Sequence, residues 1–306
     1  MTKNIDQLSV NALRVLSVDQ VQQANSGHPG MPLGASPIAY TLWANHMNFD
    51  SKDSKWINRD RFVLSAGHAS ALYYSLLHLF GFDVTIEDLK NFRQFDSRTP
   101  GHPEYGHTDG VEATTGPLGA GLSNAVGMAM AQEHLAAKYN REGFDIIDNY
   151  TYVLSGDGCM MEGITSEASS LAGTLNLGRF IVIYDSNNTT IEGHTDLAFH
   201  EDVRKRYEAY GFETILVEDG NDLEAVNAAI TKAKANLDKP SFIEVRTKIG
   251  FGSPVEDSNA AHGAPLGVEG VKALKDALNY PSHEAFHVPT EVYDHYKVLA
   301  EEGTQK

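Results

Sequence analysis

Three short runs, VLS within 150–158, FIVIY within 179–187 and FIEV within 241–250, are apolar almost without a break. A strand with one wet face alternates apolar and polar residues, whereas an unbroken run needs cover on both faces. Helical patterns lie between the runs: 122–139 and 162–177, a helix and a strand over 200–217, and a helix over 221–237. RFVLSAG (61–67) is a further apolar run, followed by a helical stretch through Phe80. Alternating β and α elements imply a parallel sheet with right-handed crossovers. The expected fold class is α/β, with a central, mostly parallel sheet and helices on both faces.

The first 47 residues read mostly helical. Ile5, Leu8, Ala12, Leu13, Leu16 and Val21 approximate a 3.6-residue stripe, and SGHPGMPLG (26–34) interrupts it with turn residues. Residues 93–117 are polar and rich in Gly, Pro and His. A loop that long is unusual inside a compact domain, so it is either disordered or functional, and its histidines and Gly-Pro turns favour function. We expect one domain over 1–306, with a helical segment near 1–50, an α/β core near 60–280 and a helical tail near 281–306.

Composition removes several function classes. Lys plus Arg is 24 against 41 Asp plus Glu, a formal charge of 24 − 41 = −17. Phosphate contacts need clustered cations, so nucleic acid and anionic membrane surfaces are unsuitable partners. The single cysteine, Cys159, excludes an internal disulfide framework and suits a reducing cytoplasm. No run approaches the 18 or so apolar residues of a membrane span, and MTKNIDQLSV has no apolar signal core.

Ligands of parallel sheets bind outside the carboxyl ends of the strands. Asp157, Asn187 and Gly250 each follow a predicted strand. Gly156 and Gly158 flank Asp157 and let the backbone approach a ligand closely. Amides at the start of the helix expected from Glu162 would favour a phosphate. Asp157 and Asn187 would then offer two hard oxygens at neighbouring strand ends, which suits Mg²⁺ with phosphate oxygens and water. The alternative is local: Asp157 caps a helix and Asn187 builds an Asx turn. His28, His68, His102 and His262 all sit beside Gly, Ser or Pro at turns, where imidazole can hold a phosphate or hydroxyl, or move a proton near neutrality. A zinc cluster would need HxxxH or HExxH spacing, or more cysteines; none of these four histidines has such spacing to another, and the cysteine is single.

With these motifs in place, the chain resembles the N-terminal, diphosphate-binding part of transketolases from about residue 5 onward. The likeness is carried by SGHPGMPLG (26–34), DRFVLSAGHAS (60–70), GHPE (101–104) and TTGPLGAGLSNAVGMA (114–129). GDGCMMEG (156–163), YDSNNTTIEG (184–193), KIGFGSP (248–254) and HGAPLG (262–267) continue it in order. The GDG-to-Asn element alone indicates the wider thiamine diphosphate class; GHPE, TTGPLG and HGAPLG point to transketolase within it.

The resemblance implies a three-layer thiamine diphosphate-binding fold, with thiamine diphosphate and Mg²⁺ as cofactors and Ca²⁺ or Mn²⁺ able to stand in. It assigns the metal to the side chains of Asp157 and Asn187 and the carbonyl of Thr189. The family often carries Ile at that last position, a change that a carbonyl ligand tolerates. Gly158 and His68 would hold the diphosphate with His262 close by, Gly116 and Leu118 would contact the aminopyrimidine, and Ile191 would pack against the cofactor. His28, His102 and His262 would bond the donor sugar and assist proton movement. Glu162 would join a carboxylate pair at a homodimer interface; its plain reading is a first-turn helix acid that suits the dipole.

The implied activity moves a two-carbon ketol unit from a ketose phosphate to an aldose phosphate, in the pentose phosphate pathway. The cofactor carries the carbanion chemistry, and the protein binds and orients it. Transketolases add two further domains, which supply the carboxylate that activates the aminopyrimidine and the arginines for the sugar phosphate. No glutamate here matches that carboxylate, so a C-terminal half is expected as a partner, from the same gene product or a separate chain. Two alternatives stay open: a thiamine diphosphate- and Mg²⁺-binding module without turnover, and a dinucleotide-binding protein. The last lacks the GxGxxG that should follow a strand.

Overall fold

The computed structural model describes residues 2–305. It opens on two helices, α1 (Thr2–Ala24) and α2 (Gly30–Asn45). All residues from Gly30 to Ala44 are buried, as a helix that is apolar on every side must be. β1 (Arg61–Leu64), α3 (Ser70–Leu79) and the single turn α4 (Ile86–Lys90) follow. Thr85 and Asp88 start α4 with a reciprocal capping box. Between Lys90 and Ala120 there is neither helix nor strand, as expected for 93–117. This loop is nevertheless tied down. Tyr74 Oη donates to the carbonyls of Pro100 and His102 at 2.8 and 3.2 Å, and Ser70 Oγ donates to that of Gly101 at 2.8 Å.

The alternating half runs α5 (Ala120–Tyr139), β2 (Thr151–Gly156), α6 (Asp157–Met161), α7 (Gly163–Thr174) and β3 (Phe180–Ser186). A small antiparallel hairpin, β4 (Thr189–Thr190) with β5 (Gly193–His194), comes next. α8 (Val203–Ala209), β6 (Glu213–Val217), α9 (Leu223–Ala235), β7 (Ser241–Arg246), α10 (Gly267–Ala277) and α11 (Thr290–Gln305) complete the chain. The main sheet has the order β1-β2-β3-β7-β6, and every pairing in it is parallel.

The unbroken apolar runs are explained by which way successive side chains point, since strand residues alternate faces. Phe62, Leu64, Tyr152, Leu154, Ile181, Ile183, Ile243 and Val245 join one core with α1, α2, α3 and α9. Their neighbours Val63, Val153, Phe180, Val182, Tyr184 and Phe242 join another, with residues of α5, α7 and α8. The protein is thus a three-layer α/β structure with helices on both faces of a parallel sheet. Among the described residues, no helix is long and apolar enough to cross a membrane.

Candidate active site

Four segments meet at the carboxyl edge of the sheet. β1 leads into the turn holding Gly67 and His68, β2 runs directly into α6 at Asp157, β3 precedes Asn187, and β7 precedes Thr247 and Ile249. Gly156 is in register with Asp185, which sets Asp157 beside Asn187. The Asn187 backbone N–H donates to Asp157 Oδ2 at 3.1 Å, and Tyr184 Oη donates to Oδ1 at 2.6 Å. Asn187 Nδ2 donates to Asp185 Oδ2 at 2.9 Å, while Asn187 Oδ1 accepts the Thr189 N–H at 3.0 Å. Thr247 Oγ1 reaches from the end of β7 to the other oxygen of Asp185.

Asn187 therefore does build an Asx turn. Asp157 does not act as a cap: Gly156 holds that position and makes no side-chain bond to α6. The helix beginning at these strand ends is α6, from Asp157, and not one from Glu162; α7 starts a residue later, at Gly163. Five residues containing a glycine show no periodicity, so α6 was not legible. Glu162 is exposed and makes no cap bond to α7.

Asp157, Asp185, Asn187 and Thr189 are all buried. Burial lifts the Asp157 carboxyl to about 6, although Tyr184 and the loop amides pull the other way. Burial lifts Asp185 to about 7, opposed by the Thr247 bond and reinforced by the charge of Asp157. Two buried acids that share Asn187 as a partner would be eased by a cation beside them. The donors on offer, a carboxylate, an amide oxygen and loop carbonyls, are hard oxygens of the kind Mg²⁺ accepts. Among the described residues, no three His, Cys, Asp or Glu side chains are placed to hold one metal ion together.

Across the cleft, three imidazoles cluster. Ring centroids are 5.1 Å apart for His28–His68, 5.6 Å for His28–His262 and 5.2 Å for His68–His262. Two glycines permit the approach of the segments that carry them. A Cβ at Gly30 would stand 2.6 Å from the Ala261 carbonyl oxygen, and one at Gly67 would stand 2.6 Å from Thr115 Oγ1. A Cβ on Gly116 would lie 3.4 Å from the His102 ring, so that loop is adjacent too. Burial, then the neighbouring His262 and Arg93, push His28 down to about 4. Burial, then His262 and His28, push His68 down to about 3. His102 and His262 are lowered as well, mainly by burial. At neutral pH each ring then carries one N–H donor and one acceptor.

A cavity of about 470 Å³ joins the two clusters, with His68, Leu118, Asp157, Gly158, Asn187 and His262 in its walls. Thr189, Ile191 and Glu162 line it as well, Ile191 being 62% exposed. His28, His102 and Gly116 are not part of this wall; they stand behind it, through the contacts just described. Sequence reasoning did not single out Tyr184, Asp185, Thr247 or Arg93. Asp185 had a readable signal, an acid at the end of the apolar run FIVIY. The other three are recognisable only by their contacts.

Fold and site together define a parallel α/β domain that presents a buried Asp–Asn pair and a histidine group at its strand ends. Residues 5–306 match the family described as "Transketolase, thiamine diphosphate binding domain", and the chain belongs to that family. It is 59% identical over 293 residues to the transketolase of Streptococcus pyogenes, covering 95% of this chain and 40% of that protein. It is 57% identical over 304 residues to transketolase 1 of Saccharomyces cerevisiae, covering 99% and 44%. The structure of Pichia stipitis transketolase in complex with sedoheptulose 7-phosphate superposes with a TM-score of 0.96 at 50% identity, over 98% of this chain and 44% of that one. The chain thus spans less than half the length of these relatives.

Proposed function

We propose that the chain is the thiamine diphosphate- and Mg²⁺-binding part of a transketolase that needs a C-terminal half for turnover. The observation that carries this reading is the convergence of Asp157, Asn187, His68 and His262 on one cavity. Thiamine diphosphate would supply the carbanion chemistry when bound. Asp157 and Asn187, with the Thr189 carbonyl, hold the metal; Gly158 and His68 receive the diphosphate. Gly116, Leu118 and Ile191 flank the rings. His28, His102 and His262 hold donor-sugar hydroxyls and move protons at them, a task suited to neutral imidazoles. The bound sugar phosphate of the Pichia stipitis relative supports the substrate class.

Glu162 belongs in this reading to a dimer contact. α5 and α7 pack together; Ile164, Leu171 and Leu175, the last just past the end of α7, are exposed at the seven- and four-residue spacing of one helix stripe that starts beside Glu162, and Met130 of α5 is exposed as well. The test is ketol transfer from xylulose 5-phosphate to ribose 5-phosphate, with saturating cofactor and Mg²⁺. The chain alone should show no useful turnover, because losing acid–base help alone costs about 10²–10⁴-fold. Adding a C-terminal half should restore it. Robust turnover by the chain alone would overturn the need for a partner, and none with the partner would overturn the function.

A further inference from the structure

Arg93 lies in the turn after α4, outside the cavity wall, and its backbone is held in the left-handed region at φ 62°. A residue with a Cβ is costly to keep there, and such strain gathers at functional sites. The turn is closed by the Arg93 N–H donating to the Thr99 carbonyl at 3.0 Å. Its effect is to send the guanidinium between two histidine-bearing loops. Nη1 donates to Ser26 Oγ at 3.0 Å, and Nη2 donates to His28 Nδ1 at 3.3 Å and to the Gly101 carbonyl at 3.5 Å. One side chain thus ties the SGHP turn to the loop that carries His102.

A guanidinium has five donors and no acceptor. His28 Nδ1 must therefore accept, and a neutral ring then carries its proton on Nε2. That nitrogen lies on the side of the ring facing Gly263, where a Cβ would come within 3.3 Å of it. Glycine at 263 keeps a side chain away from that nitrogen. The titratable and charged groups facing His28 are Arg93, His68, His102 and His262, and none is a carboxylate that could draw the proton back to Nδ1.

We infer that Arg93 is a positioning residue: it fixes His28 as the Nε2–H tautomer, so that His28 presents an N–H donor to the ligand. Calling that ligand a sugar hydroxyl rests on the function proposed above; the tautomer does not.

The experiment is two-bond ¹H–¹⁵N correlation of histidine-labelled chain at pH 7, for the wild type, Arg93→Met and Arg93→Lys. Wild-type His28 should show a protonated Nε2 and an acceptor-type Nδ1. Arg93→Met should give averaged tautomers, and Arg93→Lys, which keeps a donor, an intermediate pattern. With a C-terminal half added, kcat/KM for the ketose should fall about tenfold in Arg93→Met, the worth of one well-aimed hydrogen bond, with cofactor affinity unchanged. A proton on Nδ1 in the wild type would overturn the inference whether or not the variants fold. So would an unaltered His28 spectrum in Arg93→Met, or cofactor affinity falling in parallel with kcat/KM. The spectra need neither sugar nor second half, so they decide the inference independently of the transketolase reading.

Discussion

A carboxylate taken out of water demands donors or a cation, and Asp157 is met by Tyr184, the Asn187 amide and the neighbouring loop amides. Divalent metal held by Asp157 and Asn187 would relieve both buried acids. Asp157→Ala is expected to abolish Mg²⁺-dependent binding of thiamine diphosphate by calorimetry, and unchanged binding would move the site elsewhere. Asp185 acts at one remove, by holding the Asn187 amide. Asp185→Ala should weaken the metal by about 10–100-fold, the usual cost of losing a group that orients a ligand. The histidines give a pH signature of known sign. His28 sits at about 4, below its ordinary 6.5, so between those values the unfolded chain binds the proton more readily. Stability contributed by neutral His28 is complete above pH 6.5 and is lost as pH falls through 4. His28→Gln should therefore lose less stability than wild type between pH 6.5 and 4.5 in urea titrations; parallel curves would refute the assignment.

The elements divide into those the sequence announces and those it conceals. The sheet strands β2, β3 and β7 were legible because cover on both faces leaves no polar alternation, and α5, α7 and α9 because each lies between two strands of the sheet. Asp157 and Asn187 stood out for the same reason, since each directly follows a readable strand. α6 and the β4–β5 hairpin are too short to establish a period, and α10 went unread although it buries Val271 and Leu274. Arg93 was hidden more deeply, because its reach depends on one left-handed residue. What joins the elements at the site is close packing of loop against loop. Gly67 is the sharpest case: an added Cβ meets Thr115 Oγ1 at 2.6 Å and the Gly116 amide nitrogen at 2.8 Å, and backbone cannot yield as a flexible side chain would. Gly67→Ala should cost about 1–3 kcal/mol, as overpacking does. A fall of several degrees in thermal midpoint is expected, with cofactor affinity reduced because His68 and Leu118 move apart. A variant as stable and as tight-binding as wild type would show that the loops are not held at this contact.

At the scale of the whole molecule, two properties pull against each other. A charge of −17 opposes association, while the helix pair α5–α7 leaves Met130, Ile164, Leu171 and Leu175 between 40% and 48% exposed. Apolar side chains gathered on one face of a folded protein mark an interaction surface. The simplest closed arrangement is a two-fold one, in which each copy offers the same face. Apolar contact does not depend on counterions, but the repulsion does: at 0.15 M salt, charges more than about 8 Å apart are largely screened. We therefore expect a dimer in sedimentation at micromolar concentration, tighter at 0.3 M salt than at 0.02 M. Leu171→Lys should shift it to monomer without altering the far-ultraviolet spectrum, since Leu171 is exposed and its helix is anchored by Thr165, Ser169 and Ala172. Only the 33.4 kDa species at every concentration would count against self-association. A dimer that Leu171→Lys leaves intact would place the contact on another face and remove Glu162 from the interface.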